Sequence, residues 1–143
     1  MKINQLKFKN INNLKGEHTI SFDQLPLSQA GIFAIVGPTG SGKSTILDVI
    51  TLALFNRIPR FKKAISKNEI ANEGSVLTHH TTEASASIDY EIKGQKYRST
   101  WSLATNRNGK LKDYEMSLYN PDGSVADLKK SEVPGQNEKI IGL

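Results

Sequence analysis

The sequence predicts an α/β fold whose second half is mostly β, and three observations carry that prediction. A short apolar run, Gly31-Ile-Phe-Ala-Ile-Val36, reads as a buried strand. A glycine-rich stretch follows it, and Ser44 to Phe55 then runs without Gly or Pro, room for about three turns of helix. Beyond Gly74, apolar and polar residues alternate in successive short runs, the period of half-buried strands.

The first element is a strand over Lys2 to Asn10, with Ile3, Leu6 and Phe8 in imperfect alternation. Glu17 to Asp23 alternates better, with Ile20 and Phe22 on one side, and Asn10 to Gly16 between the two is rich in Asn and Gly, the chemistry of a turn. Two paired strands therefore precede the apolar run at Gly31 to Val36.

The next stretch, Gly37-Pro-Thr-Gly-Ser-Gly-Lys43-Ser44-Thr45, fills the pattern GxxxxGK[ST] completely, between a strand and a helix. Gly37, Gly40 and Gly42 let successive backbone N–H groups turn inward around phosphate oxygens, and Pro38, Thr39 and Ser41 complete the loop. The N-terminus of the following helix adds partial positive charge. Lys43 would reach the β- and γ-phosphates of a nucleotide as a point charge, and the Ser44 hydroxyl would ligate Mg²⁺. The alternative, an αβ turn with an incidental Lys-Ser, explains less of the pattern.

The helix after the loop is apolar on most sides, through Ile46, Leu47, Val49, Ile50, Leu52, Ala53, Leu54 and Phe55, so it is expected between layers. Asp48 lies four positions after Ser44 on the same face. It reads as a paired helix carboxylate, with orientation of the metal site as the other reading. From Asn56 to Gly74 the pattern breaks down into a basic stretch, Arg57, Arg60, Lys62, Lys63 and Lys67, with room for a short helix at Lys67 to Asn72. Contact with phosphate and a solvated connector both stay open for it.

Then comes an antiparallel β-meander. Ala84, Ala86, Ile88, Tyr90 and Ile92 alternate, as do Tyr97, Ser99, Trp101 and Leu103, joined by Lys93-Gly94 as a tight hairpin. Asn106 to Gly109 makes the next turn, Tyr114, Met116 and Leu118 the third strand, and Asn120-Pro-Asp-Gly123 closes it. Gln136 to Gly142 reads as a short terminal helix. The chain divides into strands, loop and helix over 1–56, a basic connector over 57–83, and meander plus helix over 84–143.

Composition sets outer limits. With 143 residues the chain is about one domain. No run of about 18 apolar residues occurs, so no membrane partner is expected. The start, Met1-Lys2-Ile3-Asn4-Gln5, is too polar for a signal peptide. There is no cysteine, which excludes disulfides and thiolate metal sites and agrees with a cytoplasmic location. The net charge of +5 suits a phosphate-rich partner without requiring one.

A phosphate loop holds a nucleotide but does not hydrolyse it, and hydrolysis calls for an apolar strand ending in an acidic residue. No such run occurs. Ala86-Ser-Ile-Asp89 comes nearest, but it alternates and continues to Ile92, so Asp89 and Glu91 read as outward strand carboxylates. His79-His80 sit among threonines and read as loop. Trp101 and Tyr97 read as meander core, base stacking beside Arg98 being the weaker reading. No catalytic residue is assigned.

These residues resemble a family. Met1-Lys-Ile-Asn-Gln-Leu-Lys-Phe-Lys-Asn-Ile-Asn-Asn-Leu-Lys-Gly16, Ile20-Ser-Phe22, and the run from Gly31 through the phosphate loop to Asp48 are similar to the start of the SbcC family. These are ATPase subunits of bacterial SbcCD exonucleases, related to SMC proteins. The likeness continues through Leu52 to Phe55, Arg57-Ile-Pro-Arg60, and Tyr90 to Arg98 with Trp101, and covers essentially the whole chain. It implies a P-loop NTPase fold of ABC/SMC-head type, of which this is an incomplete N-terminal lobe with an antiparallel β-meander. It further implies ATP and Mg²⁺ as ligands, a homodimer of heads, an SbcD-like nuclease subunit and DNA as partners, and a place in double-strand-break repair. By position, Gly37, Gly40, Gly42, Lys43, Ser44 and Thr45 hold phosphates and Mg²⁺, and Asn12 and Asn13 match a nucleotide-contacting loop.

The family's glutamine loop, signature motif, acidic strand, coiled coil and Cys-x-x-Cys apex do not occur in the sequence. The chain is therefore expected to bind ATP without hydrolysing it, and to expose sheet edge and apolar helix surface that favour aggregation. ATPase and exonuclease-subunit activity belong, on this reading, to the intact protein. A transporter's ATP-binding subunit and a non-hydrolysing nucleotide- or DNA-binding module are the competing readings.

Overall fold

The computed structural model describes residues 1–11, 14–22, 43–57 and 82–142. Its elements are β1 (Lys2–Ile11), β2 (Leu14–Ser21), α1 (Lys43–Phe55), β3 (Glu83–Ile92), β4 (Gln95–Ala104), β5 (Glu115–Tyr119), a 3₁₀ turn (Lys130–Glu132) and α2 (Val133–Ile141). The expected strand at 31–36, the glycine loop at 37–42, the basic stretch beyond Arg57, the short helix at 67–72 and His79-His80 lie outside the described residues.

The alternating runs form strands where expected, but the meander does not stand alone. β3 pairs antiparallel with β1 as well as with β4, which joins the first hairpin and the meander into one five-stranded sheet, β2-β1-β3-β4-β5. The Lys93-Gly94 hairpin has positive φ at both residues, 51° and 79°. That is the geometry whose twist matches the flanking strands. The β1–β2 pairing runs further into the Asn10 to Gly16 stretch than its Asn- and Gly-rich sequence suggested. Pairing continues to Ile11 opposite Leu14, and the irregularity falls at Asn10, whose φ is 54°.

Leu6 and Phe8 of β1, Ala84, Ala86, Ile88 and Tyr90 of β3, Trp101 and Leu103 of β4, and Met116 and Leu118 of β5 share the sheet's inner face and are buried. α1 lays Val49, Leu52, Ala53 and Leu54 against that face. The helix is not enclosed all round, since Leu47 is 46% exposed. α2 begins at Val133, three residues before the expected start. Pro134 stands in that first helical turn, where its missing N–H has no intrahelical partner in any case. Gly142 ends the helix in the left-handed conformation, with φ 92°. Lys130 fastens the approach to α2, its ammonium 3.0 Å from Asp113 and 5.1 Å from the centre of the Tyr114 ring.

A second irregularity lies between Ile3 and Gln5, where β1 carries Asn4 as an extra residue relative to β3. The Asn4 carbonyl accepts the Phe22 N–H at 2.8 Å, but its side-chain amide, in a residue only 8% exposed, has no hydrogen-bond partner among the described residues. A buried unpaired amide costs roughly 1–3 kcal/mol, and an apolar residue of similar shape does not carry that cost. Asn4→Leu is therefore expected to stabilise the chain by about 1 kcal/mol. A urea titration checks it, and an unchanged or lower midpoint would refute it.

Candidate functional site

The phosphate-binding pattern converges on the start of α1. Lys43, Ser44 and Thr45 form its first turn, while Gly37, Pro38, Thr39, Gly40, Ser41 and Gly42 lie outside the described residues. That turn contains no acidic residue. A lysine in the first turn of a helix, with no carboxylate in that turn, is unfavourable for an isolated helix. The same pair of positive features is what an anion requires.

Asn12 and Asn13 also lie outside the described residues, but their flanks are firmly built. Asn10 is 7% exposed, and its side chain holds both ends of the segment. Its Oδ1 accepts the Gly16 N–H at 2.7 Å and its Nδ2 donates to the Glu83 carbonyl at 3.0 Å. Asn10 thus ties the β1–β2 connection to the start of β3. In the sequence it is one asparagine among several in a turn, and only its left-handed backbone distinguishes it.

The far end of α1 is held by side chains. The last carbonyls of a helix lack intrahelical donors, and here two of them are met by other elements. Ser99 Oγ donates to the Ala53 carbonyl, and Asn137 Nδ2 to the Leu54 carbonyl at 2.8 Å. Asn137 Nδ2 also donates to Ser99 Oγ at 3.0 Å, and its Oδ1 accepts the Tyr90 hydroxyl at 2.6 Å. Asn56 closes the helix in the left-handed region and accepts the Trp101 indole N–H at 2.8 Å. Ser99 and Asn137 are fully buried. Sequence reasoning missed this network, because a serine in an alternating strand and an asparagine in a short helix both look like surface residues.

Burial pushes the Tyr90 phenol well above the usual tyrosine range, with Tyr97 adding to the shift. An acid whose folded-state pKa is raised contributes stability that is complete below its unfolded pKa, near 10, and is lost as pH rises beyond it. The melting temperature is therefore expected to fall more steeply above about pH 10 in the native chain than in Tyr90→Phe, each bound proton being worth about 1.4 kcal/mol per pH unit. Parallel profiles by circular dichroism would refute it.

The outer face of the sheet is polar throughout. Ser21, Gln5, Asp89, Arg98 and Tyr119 form one row across five strands, and Thr19, Lys7, Ser87, Thr100 and Ser117 form the next. Asp89 points outward as expected and is bridged by Arg98 through two hydrogen bonds, 2.7 and 3.1 Å. Trp101 is buried, as read, and so is not available for base stacking. Asp48 is buried within α1. Among the described residues no cluster of three or more His, Cys, Asp or Glu side chains is arranged to hold a metal. Among the described residues no helix is long and apolar enough to cross a membrane.

A family model described as an AAA domain matches residues 5–139. The SbcC component of the SbcCD nuclease of Pseudomonas aeruginosa is 37% identical over 158 aligned residues, covering 100% of this chain and 13% of that protein. A probable DNA double-strand break repair Rad50 ATPase of Aquifex aeolicus is 26% identical over 97% of this chain and 13% of its own length. Among solved structures, an SMC head domain from Thermotoga maritima aligns at 22% identity with a TM-score of 0.46, covering 88% of this chain and 39% of that one. The chain thus spans about an eighth of the length of these curated relatives.

Proposed function

Since the chain belongs to the AAA-domain family and is of the SbcC type, we propose that it is the ATP-binding N-terminal lobe of an SbcC-like ATPase. In this proposal the intact ATPase works with an SbcD-like nuclease subunit on DNA ends in double-strand-break repair, its heads pairing as a homodimer. The observation that carries the ATP-binding part is the filled pattern Gly37 to Thr45 running into the acid-free first turn of α1. Backbone N–H groups of Gly37 to Gly42 would surround the phosphates, with Pro38, Thr39 and Ser41 completing the loop. Lys43 would neutralise the β- and γ-phosphate charge, and Ser44 and Thr45 would stand at the Mg²⁺ and phosphate end of the helix. Mg²⁺ would supply charge neutralisation across the phosphate oxygens. Asn12 and Asn13, on the connection that Asn10 braces, are proposed to contact the nucleotide beyond its phosphates.

Binding and turnover separate in this proposal. The chain holds ATP, and hydrolysis needs an acidic strand end that its sequence does not contain. Titration calorimetry of the 143-residue chain with ATP, with and without Mg²⁺, tests it beside a steady-state phosphate-release assay. Saturable, Mg²⁺-strengthened binding without turnover above background is the expected result. Absence of binding would remove the proposal. Sustained hydrolysis that disappears in Lys43→Ala would overturn the claim that this chain lacks its catalytic half.

A further inference from the structure

We propose that Asn137 is a positioning residue for the nucleotide site, setting the orientation of α1 and hence of the phosphate-binding turn at its other end; this rests on the ATP-binding role of that turn. α1 meets the sheet through Val49, Leu52, Ala53 and Leu54, and apolar contacts of this kind are non-directional. They hold the helix against the sheet without selecting one rotation or axial setting. Direction comes from hydrogen bonds, and among the described residues Ser99 and Asn137 supply two of them, to the Ala53 and Leu54 carbonyls of the helix's last turn.

Asn137 is the centre of that group. Its two amide protons go to the Leu54 carbonyl and Ser99 Oγ, and its oxygen takes the Tyr90 hydroxyl. Every donor of the amide is used, and turning the amide over would place its oxygen against the Leu54 carbonyl. One side chain from α2 therefore keys α1, β3 and β4 together. α1 has 13 residues and is about 20 Å long, so a rotation permitted at the latched end is carried to Lys43, Ser44 and Thr45. Hydrogen bonds to phosphate oxygens tolerate only a few tenths of an ångström of displacement.

Among the described residues the titratable group that touches Asn137 is Tyr90, whose ring stacks on Tyr97 with centroids 5.5 Å apart. α1 and β4 present a backbone carbonyl and a serine hydroxyl, and on α2 itself Glu138 and Lys139 are exposed. A buried carboxyl at position 137 is thus free of a compensating cation among these contacts, and its protonation alone decides whether a donor faces Leu54.

The experiment measures MgATP affinity of the 143-residue chain and its variants well below their melting temperatures, as ratios to the native chain at each pH so that titration of ATP itself cancels. Asn137→Asp is expected to bind roughly 2- to 30-fold more weakly at pH 8, with the gap narrowing as pH falls and the neutral carboxyl regains a proton for the Leu54 carbonyl. Asn137→Leu is expected to be weak at every pH. Variants that melt earlier yet bind MgATP like the native chain would reduce Asn137 to a packing residue and overturn the proposal, as would a pH-independent ratio for Asn137→Asp. If the Asn137 variants do not fold, Tyr90→Phe, which removes only the hydroxyl that orients the amide, is expected to weaken binding severalfold. Unchanged affinity there overturns the proposal equally. A native chain that binds no MgATP removes the nucleotide reading itself, a result distinct from normal native binding with insensitive variants.

Discussion

Trp101→Ala is expected to cost about 3–5 kcal/mol of folding stability, the largest loss from truncating any one of the described side chains. The indole is 1% exposed and lies partway along β4, opposite Ala86 on β3 and Met116 on β5. The small Ala86 leaves room that only a large neighbour fills, so removing the indole opens a cavity that the sheet cannot close. The indole N–H also donates to Asn56, the left-handed residue that ends α1. Trp101→Phe separates the two contributions, since it keeps much of the volume but not the donor, and about 1–2 kcal/mol is expected from it. Domains of this size have total stabilities of roughly 5–15 kcal/mol, so the alanine variant stands near the edge of folding at 37 °C. Urea unfolding followed by circular dichroism measures both. A loss below about 1.5 kcal/mol for Trp101→Ala would mean that the packing around β4 is far looser than the geometry indicates.

What the sequence made legible is what short-range chemistry encodes. Alternation from Ala84 to Leu118 specifies which residues face inward, and Lys93-Gly94 specifies a turn through its own backbone preferences. Both are reproduced in β3, β4 and β5. The pairing of β1 with β3 was not legible. Leu6 meets Ile88 across more than eighty intervening positions, and neither segment carries a local mark of the other. The latch on α1 was hidden for the same reason. Ser99 and Asn137 are polar residues made interior by two helix carbonyls that belong to a distant element. The start of α2 at Val133 was not legible either, because the role of a proline such as Pro134 depends on whether it stands in the first turn or later. For the candidate site, the identities were legible as a fixed pattern of residue types. The bonds of Asn10 across the β1–β2 connection and of Asn137 at the far end of α1 emerge only from the fold.

Lys43→Ala is the second large effect, on binding rather than on stability. Lys43 opens α1 at the positive end of its dipole, in a turn with no acidic residue to offset it. An ammonium hydrogen-bonded to phosphate oxygens contributes about 1.5–3 kcal/mol, so its loss is expected to weaken MgATP binding roughly 10- to 150-fold. The unliganded chain should not suffer, because alanine is the better helix former and removes a cation from a helix N-terminus. The variant is thus expected to melt at or slightly above the native temperature while losing the stabilisation that MgATP confers, about 2.7 kcal/mol at a hundredfold excess over Kd. Ser44→Ala is expected to behave differently. It should lose most of the advantage that Mg²⁺ gives, leaving ATP affinity nearly the same with and without the metal, since the hydroxyl acts through the cation. Thermal shift with ATP alone and with MgATP, run on the native chain and both variants, resolves the two roles. If Lys43→Ala and Ser44→Ala shift alike in both conditions, the phosphate and metal functions are not divided between these side chains as the pattern requires.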